Sequence, residues 1–219
     1  MLARTSTVVV LVVCAGVLSL GYGIKATCAG PSQPALYPGV CYTDIQWDRG
    51  LYRPGAVPYV NRFVEYPALT GTFMWGTAKL ADDQAQYLFI SALLMAPFAL
   101  LTAFWLARMT GRRALLWAAA PPLVLFGFLN WDLLVVASVT AALWLWQRKS
   151  YTGAGVALGI GAALKLYPLL LLVPLVVDRL HAGDRRSALR AAAGGLLAAA
   201  VPNIPYLVAS PHGWWATYR

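Results

Sequence analysis

The chain has 219 residues, of which 60% are hydrophobic and 11% are charged, and its net charge is +9. An ordinary soluble domain carries about 25% charged residues, so this composition argues against a soluble protein. The positive charge does not indicate nucleic-acid binding, because the basic residues lie in short segments between apolar runs, as in membrane proteins. The sequence therefore predicts an all-α integral membrane protein with several spans.

The first apolar run covers residues 7–24 and follows Arg4. Two interpretations are open for it, a signal peptide cleaved near Ala26–Ala29 or an uncleaved first span. Further apolar runs downstream favour the uncleaved span, with the N-terminus in the cytoplasm.

A long loop rich in charged and aromatic residues follows, over residues 25–85. Cys28 and Cys41 lie near its start, and in an exported loop they are predicted to form a disulfide, with two free thiols as the alternative. The last part of the loop, 67–85, is predicted to be an interfacial helix on the outer membrane surface. No metal-ligand spacing accompanies the cysteines or the two histidines, so no cofactor is predicted.

The remaining apolar runs complete a helical bundle. The stretch 153–177 fits either one kinked helix or two half-length helices that turn at Lys165. Pro168 disfavours helical backbone at Tyr167, and basic residues on both flanks indicate that the chain returns to the cytoplasmic side, which favours the hairpin. The predicted spans after the loop are 86–107, 114–129, 133–147, the hairpin 153–164/167–177, and 188–209.

This threading sorts the charged residues by side of the membrane. Arginine and lysine clusters fall in cytoplasmic loops, whereas six of the eight acids, with Lys165 and His212, fall outside. An ionisable side chain is retained beside membrane helices where it binds something or contacts water. The external residues are therefore the candidate site.

Three external residues suggest specific chemistry. Asp44 could accept a proton from a sugar hydroxyl, the alternative being a solvated loop acid. Glu65 could bind a hydroxyl or act as a second base, or it could cap the helix that begins near Pro67. Lys165 could bind a lipid phosphate, or it could extend to the interface without a ligand.

Three further residues are candidates with common alternatives. Asp132 could pair with Lys165 or cap the helix that begins at Leu133, and capping is the commoner use. Arg53 could bind phosphate through both guanidinium edges, although solvated loop arginines are as common. His212 could bind phosphate or sugar, beside tryptophans that an aromatic belt would explain equally well.

Four motifs occur along the chain in a recognisable order. They are Tyr42-Thr43-Asp44-Ile45, Val64-Glu65-Tyr66-Pro67, Asn130-Trp131-Asp132-Leu133 and Ala163-Leu164-Lys165-Leu166-Tyr167-Pro168. In that order the chain, from about Leu11 onward, resembles the integral-membrane glycosyltransferases of family 87, which have the GT-C fold. That family includes actinobacterial mannosyltransferases that use polyprenyl-phosphate-mannose.

The resemblance implies a multi-pass GT-C-like helical bundle whose long first external loop carries the active site. Asp44 matches the general base that deprotonates the acceptor hydroxyl during an inverting attack on the anomeric carbon. Lys165, with Arg53 or His212, would stabilise the departing lipid phosphate. The substrate-binding residues expected in total are Glu65, Lys165, Arg53, Tyr66, Asp132 and His212.

The expected partners are a polyprenyl-phosphate sugar donor, a glycolipid or glycan acceptor of the cell envelope, and the bilayer of the plasma membrane. The chain has about half the length usual for the family, so a fragment, a truncated gene product or half of a split enzyme is expected. The alternative function is a non-catalytic membrane protein, either an assembly partner or a lipid-carrier transporter. Charges on one side only argue against the transporter.

Overall fold

The computed structural model of the protein describes residues 2–29, 39–46 and 55–219. These residues form helices and no strand, apart from an isolated bridge between Pro58 and Arg62. The helices are α1 (Leu2–Ala26), α2 (Ala68–Ala78), α3 (Gln84–Thr110), α4 (Leu115–Ala118), α5 (Pro121–Phe126), α6 (Asp132–Gln147), α7 (Tyr151–Leu164), α8 (Pro168–His181), α9 (Arg185–Ala200), α10 (Ile204–Ala209) and α11 (Pro211–Ala216).

Three helical segments of the described chain are long and apolar enough to cross a membrane. They are Thr7–Ala26, Gln84–Ala118 and Arg185–Ala209. The all-α integral membrane class is thereby confirmed. The 16 residues of α6 and the 14 of α7 and of α8 make shorter helices, about 21–24 Å long against a hydrocarbon core of about 30 Å. Their membrane placement and the orientation of the chain stay predictions.

The described residues divide into two compact units. The first combines the described residues before position 54 with Gly76–Ala137. In it α1 packs along α3 and also contacts α4 and α5. Gly21 allows this packing, because a Cβ there would lie 2.8 Å from the carbonyl oxygen of Val124.

The second unit combines the described part of Pro54–Trp75 with Ser138–Arg219. In this unit α7 packs along α9, and α8 packs against both. Gly155 and Gly159 of α7 lie directly against backbone carbonyls of Ala191 and Gly195 in α9, so that neither position has room for a side chain. Small residues at such a seam let two helix backbones approach closely, which is how membrane helices gain packing energy without a hydrophobic effect.

The stretch predicted as a hairpin consists of two helices. α7 ends at Leu164, Lys165 has extended backbone (φ −157°, ψ 135°), and α8 begins at Pro168. Pro168 contributes to the break because it lacks the N–H that would donate to Leu164 O. Tyr167 itself has helical dihedral angles (φ −59°, ψ −30°), so the prediction that Pro168 disfavours helical backbone there is wrong, and the extended residue is Lys165. The break places Lys165 in a connection between helices and not inside one.

Two predicted elements differ from the structure. The run 114–129 is not one helix, because Ala120 has extended backbone (ψ 133°) and two consecutive prolines then start α5. The predicted interfacial helix over 67–85 is shorter, since α2 ends at Ala78. Asp83 begins the next helix by accepting a hydrogen bond from Gln86 N (2.8 Å). Six of the eleven residues of α2 are buried, including Thr70 and Thr77, whereas Thr72 and Gly76 are exposed. Its placement at the membrane surface stays a prediction.

Candidate functional site

Asp44 lies in the first unit, at the start of a short 3-10 helix over Asp44–Gln46 that packs on α3. Its backbone N–H donates to Leu129 O (2.8 Å), and the neighbouring Thr43 hydroxyl donates to Phe128 O (2.6 Å). The next residue, Ile45, is fully buried. The backbone that carries Asp44 is therefore attached to the connection before α6, while the carboxyl itself remains half-buried.

The Asp44 carboxylate accepts a hydrogen bond from the Tyr42 hydroxyl (Oη–Oδ1 2.5 Å). Tyr42 follows Cys41, which is bonded to Cys28 with a Cα–Cα distance of 5.7 Å. This disulfide attaches the segment that carries Asp44 to the end of α1. A carboxylate with a fixed orientation and partial exposure can accept a proton from a hydroxyl within reach.

Asp132 lies in the same unit, in the first turn of α6, where the helix dipole favours an acid. Its N–H donates to the side-chain carbonyl of Asn130 (3.0 Å), which fixes the turn before the helix. Asp132 and Asn130 line a cavity of about 310 Å³ whose other walls are apolar, among them Trp117 and Phe126. The predicted pairing of Asp132 with Lys165 stays a prediction, because Lys165 belongs to the second unit.

A second cavity, of about 440 Å³, lies within the second unit and brings three of the predicted site residues together. These are Glu65, Tyr66 and Lys165, which come from two segments a hundred residues apart. Thr217 and Tyr218 complete its wall, with Pro67, Leu166 and Tyr167. We call it the Glu65–Lys165 cavity. It combines one carboxylate, one ammonium group, a hydroxyl and three tyrosines.

Lys165 occupies this wall because α7 ends one residue before it. Pro168 has no N–H, so the carbonyl of Leu164 has no donor four residues ahead. The buried Thr70 hydroxyl of α2 donates to that carbonyl instead (2.7 Å). The chain direction at Lys165 is thus fixed by a side chain from a distant element.

Glu65 and Tyr66 are positioned by a buried tyrosine. Tyr59 is 1% exposed, adopts a positive φ of 64°, and donates its hydroxyl to Tyr66 O (2.7 Å). Burial raises the pKa of its phenol, and the nearby Tyr206 and Tyr218 raise it further, so Tyr59 stays a protonated donor. Gly71 and Gly213 lie against Tyr59 where no side chain would fit.

Thr217 and Tyr218 line the cavity, although they are not among the predicted site residues. Thr217 donates its hydroxyl to Val64 O (2.9 Å), beside Glu65. Asn203 accepts from both the Trp214 indole (2.8 Å) and the Tyr218 hydroxyl (3.0 Å). One signal in the sequence was available, since Asn203 is a lone amide between two prolines in an otherwise apolar run.

The two other predicted residues are His212 and Arg53. His212 is exposed in α11 and does not line the wall that contains Glu65 and Lys165. Arg53 lies outside the described residues, so its role stays a prediction. Among the described residues, no group of three or more histidines, cysteines and acids is arranged to bind a metal ion.

The two sites carry complementary chemistry. The first presents a half-buried carboxylate with a fixed orientation, which suits proton abstraction. The second presents an ammonium group with a carboxylate and tyrosines, which suits a phosphate joined to a polyhydroxylated ring.

The chain matches the model of glycosyltransferase family 87 over residues 63–218, which include Glu65, Tyr66, Asp132 and Lys165. Asp44 and Arg53 precede the matched residues. No solved structure matches the chain.

Proposed function

The chain belongs to glycosyltransferase family 87 and is a membrane glycosyltransferase, and we propose that it transfers a hexosyl group from a polyprenyl-phosphate sugar. The proposed sugar is mannose, and the proposed acceptor is a glycolipid or glycan of the cell envelope, at the outer face of the plasma membrane. The observation that carries the proposal is the Glu65–Lys165 cavity, which joins a cation to a carboxylate within the residues that the family model matches.

In the proposed reaction the acceptor hydroxyl attacks the anomeric carbon of the donor sugar. A bond forms between the acceptor oxygen and that carbon, and the bond from the carbon to the phosphate oxygen breaks. The hydroxyl proton passes to the Asp44 carboxylate, and the lipid phosphate leaves with the electron pair of the broken bond. A single displacement inverts the anomeric configuration.

Four residues of the cavity have a proposed part in this reaction. A departing phosphate needs no proton, but its charge needs a cation, which is the role of Lys165. Glu65 accepts hydrogen bonds from sugar hydroxyls. The aromatic rings of Tyr66 and Tyr218 provide apolar surface against which the sugar ring packs. Asp132, His212 and Arg53 remain proposed substrate contacts, with Asp132 at the polar end of an apolar cavity that suits a lipid chain.

The decisive experiment measures transfer of radiolabelled mannose from polyprenyl-phosphate-mannose in membranes that contain the full chain. Wild type is compared with Asp44→Asn and with Asp82→Asn, a control acid that is exposed before α3. We expect transfer by wild type and by the control, and a loss of at least about 1000-fold in Asp44→Asn.

Two outcomes would contradict the proposal. Full activity in Asp44→Asn would remove the proposed base. Absence of transfer by a wild-type chain that is inserted and disulfide-bonded would favour the alternative, a non-catalytic assembly partner.

A further inference from the structure

Lys25 is a buried cation in the last turn of α1, and the proposed reaction makes no direct use of it. Only 3% of its surface is exposed. A lysine at the end of a membrane span ordinarily extends its ammonium group into water. Here the Nζ atom instead donates to two backbone carbonyls, Val40 O (2.8 Å) and Tyr42 O (2.6 Å).

These two carbonyls flank Cys41, which is the cysteine bonded to Cys28. The end of α1 therefore contacts the same segment twice, through the disulfide and through Lys25. The segment 39–43 has no helix or strand of its own that would determine its course. Charge-assisted hydrogen bonds are roughly twice as strong as neutral ones, so the Lys25 contacts contribute substantially to this attachment.

Tyr42 connects Lys25 to Asp44. Its carbonyl accepts from the Lys25 ammonium, and its hydroxyl donates to Asp44 Oδ1. A displacement of Tyr42 would therefore change the direction in which the Asp44 carboxylate points.

We propose that Lys25 is a positioning residue for Asp44, acting through the carbonyl and hydroxyl of Tyr42. The inference rests on the proposed role of Asp44 as the general base. Lys25 is buried and acts on the proposed base through backbone carbonyls, so its loss is expected to lower the rate of the chemical step and to leave donor affinity unchanged. A misplacement of about 1 Å at a reacting group can lower a rate about 100-fold, which sets the scale of the effect.

The test compares Lys25→Met and Lys25→Gln in the full chain, with Lys79→Met as the control for an exposed lysine of the same unit. The methionine removes all donors, whereas glutamine keeps two N–H groups for the two carbonyls. We expect kcat to fall about 30-fold or more in Lys25→Met, with the donor KM within about twofold of wild type. Lys25→Gln should recover part of the lost kcat.

Tyr42→Phe provides a second variant in case Lys25→Met does not fold. It removes only the hydroxyl that donates to Asp44, and we expect kcat to fall about 10-fold at unchanged donor KM. Formation of the Cys28–Cys41 disulfide, measured by thiol labelling before and after reduction, reports folding of the segment in each variant.

The inference is overturned if Lys25→Met or Tyr42→Phe, with its disulfide formed, has the kcat of wild type. It is also overturned if the variants raise the donor KM and leave kcat unchanged. Asp44→Asn separates this failure from failure of the proposed function. An inactive Asp44→Asn beside fully active Lys25 and Tyr42 variants would remove only the role of Lys25, whereas an active Asp44→Asn would remove both.

Discussion

Asp44 and Glu65 are both acids of the long predicted external loop. The structure holds the side chain of Asp44 in place, but at Glu65 it holds the neighbouring backbone. The Asp44 carboxylate itself accepts a hydrogen bond from Tyr42, and it is half-buried. The Glu65 side chain is exposed at its cavity, while its neighbours are anchored through their carbonyls, Val64 by Thr217 and Tyr66 by Tyr59.

This difference matches two different functions of a carboxylate, general-base catalysis and substrate binding. A general base gains from a fixed direction, because proton transfer depends on geometry. A group that binds a flexible polyhydroxylated substrate gains from a fixed backbone and an adaptable side chain. We therefore expect changes around Asp44 to lower kcat, and changes around Glu65 to act more on donor KM.

Among the changes in the Glu65–Lys165 cavity, loss of the Lys165 ammonium group is expected to lower turnover the most. Lys165→Met should lower kcat about 100-fold, because one preorganised charge that stabilises a developing anion contributes on that scale. The measurement is mannosyl transfer at saturating donor. Lys149→Met, at the exposed turn before α7, is the matched control and should retain wild-type activity. A Lys165→Met enzyme with normal kcat would show that the cavity does not contact the leaving phosphate.

Gly213→Ala tests whether the cavity depends on its scaffold. A Cβ at Gly213 would collide with the carbonyl of Tyr59, so we expect a loss of about 2 kcal/mol in the free energy of unfolding. Thermal unfolding in detergent would measure it. Gly76→Ala is the control, since no atom lies within 4 Å of a Cβ there, and it should be neutral or stabilising by up to about 1 kcal/mol. Equal melting temperatures for the two variants would contradict the packing described.

Glu65→Gln is expected to raise the donor KM about 10-fold, because hydrogen bonds to a charged acceptor are stronger than those to an amide. Its kcat should change less than threefold, in contrast to Asp44→Asn. Steady-state kinetics with varied donor would separate the two constants. A large fall in kcat at constant KM would instead make Glu65 a second base.

Thr70→Val removes the donor to Leu164 O and should destabilise the protein by about 1 kcal/mol or more, since it leaves a buried carbonyl unpaired. Thr110→Val is the matched control, because the Thr110 hydroxyl donates within its own helix, to Leu106 O, and is exposed. Chemical denaturation in detergent would compare them. If Thr70→Val keeps full stability, another group satisfies the end of α7.

Asp184 is a third acid for comparison, and its carboxylate caps α9. Its removal is expected to change stability less than the other substitutions do. Its carboxylate accepts from Ser187 at the start of α9 (Oδ1–N 3.0 Å), and these hydrogen bonds lower its pKa below the ordinary 3.8. A lowered folded-state pKa means that Asp184 stabilises the fold above about pH 3.8 and loses this effect as the pH falls through the folded-state pKa. Asp184→Ala should therefore melt slightly lower than wild type at pH 7, and the gap should narrow in acid. A gap that is unchanged at pH 3 would contradict this account.

Several features followed from local sequence alone. The apolar runs 7–24 and 133–147 correspond closely to α1 and α6. A helix in lipid must form all its backbone hydrogen bonds internally, and it needs an unbroken apolar stretch. The break at Lys165 was indicated by Pro168, which has no N–H to donate to the carbonyl of Leu164, although Tyr167 before it keeps helical dihedral angles. The family itself was recognisable from short motifs, and the match over residues 63–218 confirms it.

Two predictions differ from the structure for different reasons. The run 114–129 is apolar enough for a span, but Pro121 and Pro122 start a new helix after the extended Ala120, so a local signal divides a run that hydropathy alone joins. The helix predicted over 67–85 ends earlier, because Asp83 caps a new one, and its buried face depends on packing that no window of sequence reveals.

The class of this protein, its apolar helices and the acids and bases available for chemistry can be inferred from the sequence, because hydropathy and helical periodicity are local properties of the chain. Which of these residues share a site depends on long-range packing. Glu65, Lys165 and Tyr218 meet in one cavity because Thr70, Tyr59 and Asn203 bind distant backbone or side-chain groups. The burial of Lys25 against two carbonyls likewise depends on where the chain returns after the disulfide loop, and that is a long-range property.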